Sequence, residues 1–163
     1  QIPGSIAVLH QNLVSLDLSE NVLVGGFSGS MCDLSQLKHM YLTGNSITGR
    51  IPKCVNELSN LEAFHVGSNY ITGTISNKLS ELPLLQSLHI QDNKLTNTIP
   101  SSLFSLSNLK SLRLQNNLLS GPVPSSIVDL VNLEELMLQD NLLRHRSVKS
   151  LSKLLPNCGK IEL

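Results

Sequence analysis

Asparagine recurs at a fixed interval in this chain: Asn21, Asn45, Asn69, Asn93, Asn117 and Asn141 stand 24 residues apart. Each closes a copy of the pattern L-x-x-L-x-L-x-x-N-x-L, as in LQSLHIQDNKL at residues 85–95. A unit of that length is too short to bury an apolar face alone. Copies must therefore stack, each packing on its neighbours, and the product is a solenoid.

The pattern has a physical reading position by position. Leu13, Leu37, Leu61, Leu85, Leu109 and Leu133 open the units. The fourth position is Leu16, Met40, Phe64, Leu88, Leu112 or Leu136, and the sixth is Leu18, Leu42, Val66, Ile90, Leu114 or Leu138. Apolar residues alternating with polar ones predict a strand with one buried face. Stacked strands then pair into a parallel sheet, about 4.8 Å apart. After the strand the chain turns inward and leaves backbone groups without sheet partners. A buried amide that both donates and accepts can satisfy them, which assigns the six asparagines a structural ladder.

Past each asparagine comes an apolar residue, then a column of Gly25, Gly49, Gly73, Asn97 and Gly121. Glycine and asparagine tolerate positive φ best, so this column predicts a left-handed turn in every coil. Phe27, Ile51, Ile75, Ile99 and Val123 follow, with Pro52, Pro100 and Pro124 behind three of them. Proline fixes φ and lacks a donor, so this arm is extended or turn-like. Two more apolar columns return to the core at Met31, Val55, Leu79, Leu103 and Ile127 and at Leu34, Leu58, Leu82, Leu106 and Leu130.

NSITGRIPKCVNELSNL at residues 45–61 and NNLLSGPVPSSIVDLVNL at residues 116–133 resemble the plant-type leucine-rich repeat, which continues L-x-G-x-I-P beyond the asparagine. The resemblance implies a right-handed solenoid with a parallel sheet on its concave side and extended and 3-10 segments on its convex side. One solenoid is expected over 1–163, divided into a partial repeat at 1–12, five regular repeats over 13–132, an irregular last repeat with a short helix at 133–157 and a final strand at 158–163. In that helix Ser147 is expected to cap, Val148, Leu151 and Leu155 to share a face, and Pro156 to stop the run. The chain opens at QIPGSI, in the middle of a coil, as expected of a piece processed or excised from something longer. No polar capping unit is visible, so self-association through the ends, near Ile2 and Ile6 or Ile161 and Leu163, is expected.

The resemblance also implies function: such repeats occur in receptor-kinase ectodomains and polygalacturonase inhibitors, and bind proteins, peptides or steroids. Formal net charge is 0 and aromatic content 3%, so nothing in the overall balance draws the chain to nucleic acid. No apolar run is long enough to span a membrane. Catalytic, phosphate-binding and calcium-loop motifs are missing, and no cofactor or enzymatic role is expected. Three cysteines cannot all pair, and Cys32 and Cys54 occupy different repeat positions, so free thiols are expected. No N-x-S/T sequon occurs. The compartment stays open between the ectodomain the resemblance implies and an intracellular site.

The outward strand positions carry the functional expectation. Asp17, Tyr41, His65, His89, Arg113 and Met137 form the column between the fourth and sixth positions, and apart from the His65–His89 pair it changes character from coil to coil. Tyrosine, arginine and methionine are enriched at interfaces. A protein- or peptide-binding concave face is therefore expected at His39, Tyr41, His65, His89, Gln91, Arg113, Gln115, Glu135 and Met137. The rival roles are a structural segment of a longer array and a polygalacturonase-inhibitor-like module. His65 and His89, neighbours in one column, serve as contact residues in preference to zinc ligands, because no carboxylate completes a metal set beside them: Glu62 and Asp92 lie at other columns. The basic tail of Arg144, Arg146, Lys149, Lys153 and Lys160 reads as a solvated face. The Thr48, Thr72 and Thr96 column, with Thr74 and Thr98, is too short to make an ice-matching ladder.

Overall fold

The computed structural model describes residues 2–9, 12–144 and 148–163, with the backbone alone at 148–150. The alternating columns form a 7-stranded sheet of Ser15–Asp17, His39–Tyr41, Ala63–His65, Ser87–His89, Ser111–Arg113, Glu135–Met137 and Lys160–Glu162, in chain order. All neighbours are parallel, and the register joins equal positions of successive units: Leu16 meets Met40, Met40 meets Phe64, and Phe64 meets Leu88. The final strand enters the same way, with Leu136 opposite Ile161.

The six asparagines lie where the chain leaves this sheet. The Asn93 Oδ1 accepts from the Ile71 N–H at 2.8 Å, while its Nδ2 donates to the carbonyls of Val66, Ile90 and Gln91. The same pattern holds at Asn45, Asn69, Asn117 and Asn141. Asn21 differs: it is exposed, and among the described residues it donates to Leu18 and Ser19 within its own coil. A second amide ladder runs along the far end of the strands. Asn60, Asn108, Asn132 and Asn157 each donate to a carbonyl of the preceding coil at 2.8 Å.

Gly25, Gly49, Gly73, Asn97 and Gly121 all have positive φ, between 66° and 86°. A second left-handed column precedes the asparagines at Glu20, Gly44, Ser68, Asp92, Asn116 and Asp140. There the turn into the coil interior is tight enough to impose φ near 53° even on Glu20 and Ser68. The arm after each asparagine pairs with its neighbours more than the proline content suggests. Thr72–Thr74, Lys94–Asn97, Leu118–Pro122 and Leu142–Arg144 form a 4-stranded lateral sheet, and Val24–Gly25 pairs with Ser46–Ile47. Short 3-10 turns complete the convex side, as at Lys53–Glu57, Asn77–Glu81 and Ser101–Ser105, where the Leu58, Leu82 and Leu106 columns re-enter the core.

The aliphatic columns merge into one core that also holds Phe64 and Phe104, each at most 1% exposed. The C-terminal helix spans Val148–Leu154 and buries Leu151 and, just beyond it, Leu155. The expected Ser147 cap and the Arg146 charge lie outside the described residues, as does the side chain of Val148. At the other end Ile2 is buried, contrary to its expected exposure, and the exposed apolar surface is Val8, Val22 and Val24.

The free-thiol expectation is overturned for two of the three cysteines. Cys32 and Cys54 form a disulfide, Cα to Cα 5.9 Å, that ties the 3-10 turn Gly29–Asp33 to the turn Lys53–Glu57. Their different repeat positions do not forbid pairing, because a contact between coils can slip along the turn. Cys158 remains free and half-buried.

Candidate functional site

The strand register brings the variable column into a single row across the concave face. Tyr41 is opposite His65, His65 opposite His89, His89 opposite Arg113, and Arg113 opposite Met137. Parallel pairing brings the side chains of this row close together across the strands. Tyr41 meets His65 at 4.9 Å with planes 51° apart, while His39 and Tyr41, on one strand, lie 6.0 Å apart with planes 6° from parallel. His65 and His89 stack at 3.8 Å with planes 12° apart.

Serines that precede this column by one pleat hold the imidazoles. The His65 Nε2 lies 2.8 Å from the Ser87 Oγ, and the His89 Nε2 lies 2.8 Å from the Ser111 Oγ. Ser111 in turn donates to the Glu135 Oε2 at 2.8 Å. Arg113 grips Glu135 through two N–H groups at 2.8 and 3.2 Å, and the Lys160 Nζ stands 3.4 Å away. Six side chains, His65 and Ser87 with His89, Ser111, Glu135 and Arg113, thus form a continuous polar and aromatic strip over four strands.

Charge in the strip follows from this packing. Burial pushes the His89 pKa down to about 3, helped by His65 and Arg113 and opposed by Glu135. His65 is lowered to about 4 by burial, then by Arg113 and His39. For Glu135 burial acts upward, but the bonds from Arg113 and Ser111 outweigh it and hold the carboxyl at about 2. At neutral pH the strip is two uncharged rings beside one compensated ion pair. No group of three or more His, Cys, Asp or Glu side chains placed to hold a metal ion occurs among the described residues.

The other expected contact residues take different places. Met137 is buried, 6% exposed, between Arg113 and Glu162 of the neighbouring strands, so little of it is open to a partner. Gln91 and Gln115 are partly buried at the strand ends, and their amide oxygens have no partner among the described residues. Gln91 folds over Gly67, into space a Cβ there would fill. The threonine column is engaged between coils: Thr72 and Thr96 donate to the carbonyls of Gly49 and Gly73. Ser87, Ser111 and Lys160 were absent from the expected face. For the serines the signal in the sequence is an offset of 22 residues, shared by His65–Ser87, His89–Ser111 and Arg113–Glu135; Lys160 has no such signal.

Residues 83–143 match the Leucine rich repeat family, and a second Leucine Rich Repeat match covers residues 36–58. The solved BIR3–SERK2 complex from Arabidopsis thaliana is similar at 30% identity over 80% of this chain and 69% of that chain, with a TM-score of 0.74. The chain belongs to the plant-type leucine-rich-repeat family. Among other members of that family, the plant peptide hormone receptor RGFR1, solved in complex with RGF2, is 34% identical over 96% of this chain, with a TM-score of 0.91. The ectodomain of the membrane receptor kinase GASSHO1/SCHENGEN3 from Arabidopsis thaliana, solved with CASPARIAN STRIP INTEGRITY FACTOR 2, is 33% identical over 99% of the chain, with a TM-score of 0.92. The leucine-rich-repeat chain spans 25% and 19% of the lengths of these two receptors. A comparison with curated proteins finds no match.

Proposed function

We propose that this chain is a recognition module that binds a protein or peptide through its concave sheet, outside the cell. The observation that carries the reading is the row Tyr41, His65, His89 and Arg113, aromatic or cationic at four consecutive strands and fixed by cross-strand contacts. Side chains already held in place lose little entropy on docking, so such a row suits binding. The relatives solved as a peptide hormone receptor with RGF2 and as a receptor-kinase ectodomain with CASPARIAN STRIP INTEGRITY FACTOR 2 support the same class of partner. The Cys32–Cys54 disulfide supports an oxidising compartment.

The test is a pull-down with the immobilised chain, followed by titration of the captured partner. Tyr41→Ala and His39→Ala should each weaken binding by more than about 1 kcal/mol, as interface anchors do. Lys78→Ala and Lys94→Ala should leave it unchanged, since Lys78 is held by Glu81 on the convex turns and Lys94 lies over the Tyr70 ring. A partner lost with the lysines and kept with Tyr41→Ala would place the working face elsewhere.

A further inference from the structure

The stacked histidines differ in one respect that bears on what the concave face recognises. A serine hydroxyl carries one proton. The Ser111 proton is committed to Glu135, an ionised carboxylate that can only accept. Ser111 therefore has only its lone pairs to offer His89, and the contact at 2.8 Å requires the proton to sit on the His89 Nε2. An uncharged imidazole has one N–H, so the His89 Nδ1 is a bare acceptor, and it has no hydrogen-bond partner among the described residues. His65 makes the same contact with Ser87, but no carboxylate fixes the Ser87 proton, and either tautomer of His65 satisfies the bond.

The surroundings reinforce this asymmetry. His65 on one side and Arg113 on the other both oppose a charge on His89, and burial does so most. Arg113 has two of its N–H groups on Glu135, and Lys160 also faces that carboxylate. The strip therefore offers no unpaired carboxylate to a cationic ligand, and its principal cation is already engaged. His39 and Tyr41 extend it with further flat faces.

We infer that His89, fixed as the Nε2–H tautomer by the Ser111–Glu135 couple, is a specificity-determining acceptor of the concave face. Its ligand is an uncharged peptide segment that donates one hydrogen bond, from a backbone amide or a hydroxyl, into Nδ1 and lays a flat or apolar group against the imidazole stack. The inference rests on the concave-face reading above. It adds that charge on the ligand at this coil is rejected, because neither the neutral rings nor the compensated ion pair can neutralise it.

Two measurements test it on the whole chain. Long-range nitrogen–proton NMR at neutral pH should show His89 as a single Nε2–H tautomer in the wild type and as a mixture in Ser111→Ala. A mixture or an imidazolium in the wild type overturns the inference. The second measurement uses a displayed library of random dodecapeptides, selected on the wild type and counter-selected on Tyr41→Ala. The surviving peptides should be uncharged where they meet the strip. One of them should bind roughly five- to tenfold more weakly to His89→Phe, which keeps a ring and removes the acceptor. It should also weaken with Ser111→Ala, which leaves the ring in place and frees its tautomer. Peptides that need Tyr41 but tolerate both changes sink the role of His89 and leave the concave-face reading standing. A library from which nothing survives the counter-selection counts against the concave-face reading itself.

Discussion

Replacing Asn93 by alanine isolates what the asparagine ladder contributes, because the partners it abandons are unequal. The Val66 carbonyl keeps Asn69, the Ile90 carbonyl keeps Asn117, and the Gln91 carbonyl keeps the Ser68 N–H. Only the Ile71 N–H, which donates to the Asn93 Oδ1, is left with nothing, in a residue that is 0% exposed. One buried donor without a partner costs about 1–3 kcal/mol. With a urea slope of about 2 kcal/mol per molar, the unfolding midpoint should fall by about 0.5–1.5 M. Asn21→Ala is the matched control. Asn21 is exposed and accepts from no neighbouring coil among the described residues, so its loss should cost under about 0.5 kcal/mol. Asn93→Asp sharpens the test. It keeps the acceptor for Ile71 but turns a second carboxylate oxygen toward three carbonyls, so it should be worse than alanine at neutral pH and recover as the pH falls. Equal midpoints for Asn93→Ala and Asn21→Ala would refute the claim that an inter-coil donor, rather than the side chain's own turn, is what the asparagine secures.

Acid should destabilise the fold in two windows. The folded pKa values of His65 and His89 lie below the ordinary 6.5, so the unfolded chain takes up protons first and stability falls as the pH drops from 6.5 toward about 4 and about 3. Glu135 adds stability that is present above 4.5 and lost as the pH falls toward about 2. Denaturation across pH should show the upper window shrink in a His65→Gln, His89→Gln double variant and the lower one persist. Reducing the Cys32–Cys54 bond, which closes a separation of 22 residues, should cost about 3 kcal/mol, and Cys32→Ala should match it in denaturation under oxidising conditions. Self-association through the N-terminal coil should weaken in Val22→Lys, since Val22 is 90% exposed, and sedimentation over a range of concentrations reads this directly.

What the sequence reveals depends on whether a residue's partner lies at the same position of the next repeat. The asparagine column and the column Gly25 to Gly121 are legible because every copy faces the same backbone problem, and Asn97 replaces glycine at φ 66° for the same reason. The second left-handed column is hidden, because Glu20 and Ser68 are residues that give no hint of positive φ. Contacts shifted by one pleat are hidden too. His89 finds Ser111, and Arg113 finds Glu135, at an offset of 22, two short of the repeat. Comparing equal positions of successive units passes over such pairs, and the disulfide shares the same offset. No column pattern encodes the burial of Met137, since His89 and Arg113 of the same column are only partly buried.

The displaced pairing also governs how this surface could lengthen. Copying residues 85–108 in place would set the copy of His89 beside the original. The original would then face the copied Ser87, and the copied imidazole would inherit Ser111 and, through it, Glu135. The row of stacked rings would grow by one with every hydrogen bond preserved, and its carboxylate terminus would stay in place. Deleting the same residues would put His65 on Ser111 and retain a single anchored ring. The length of the aromatic row is therefore adjustable one coil at a time, while the anchor at its end is set once.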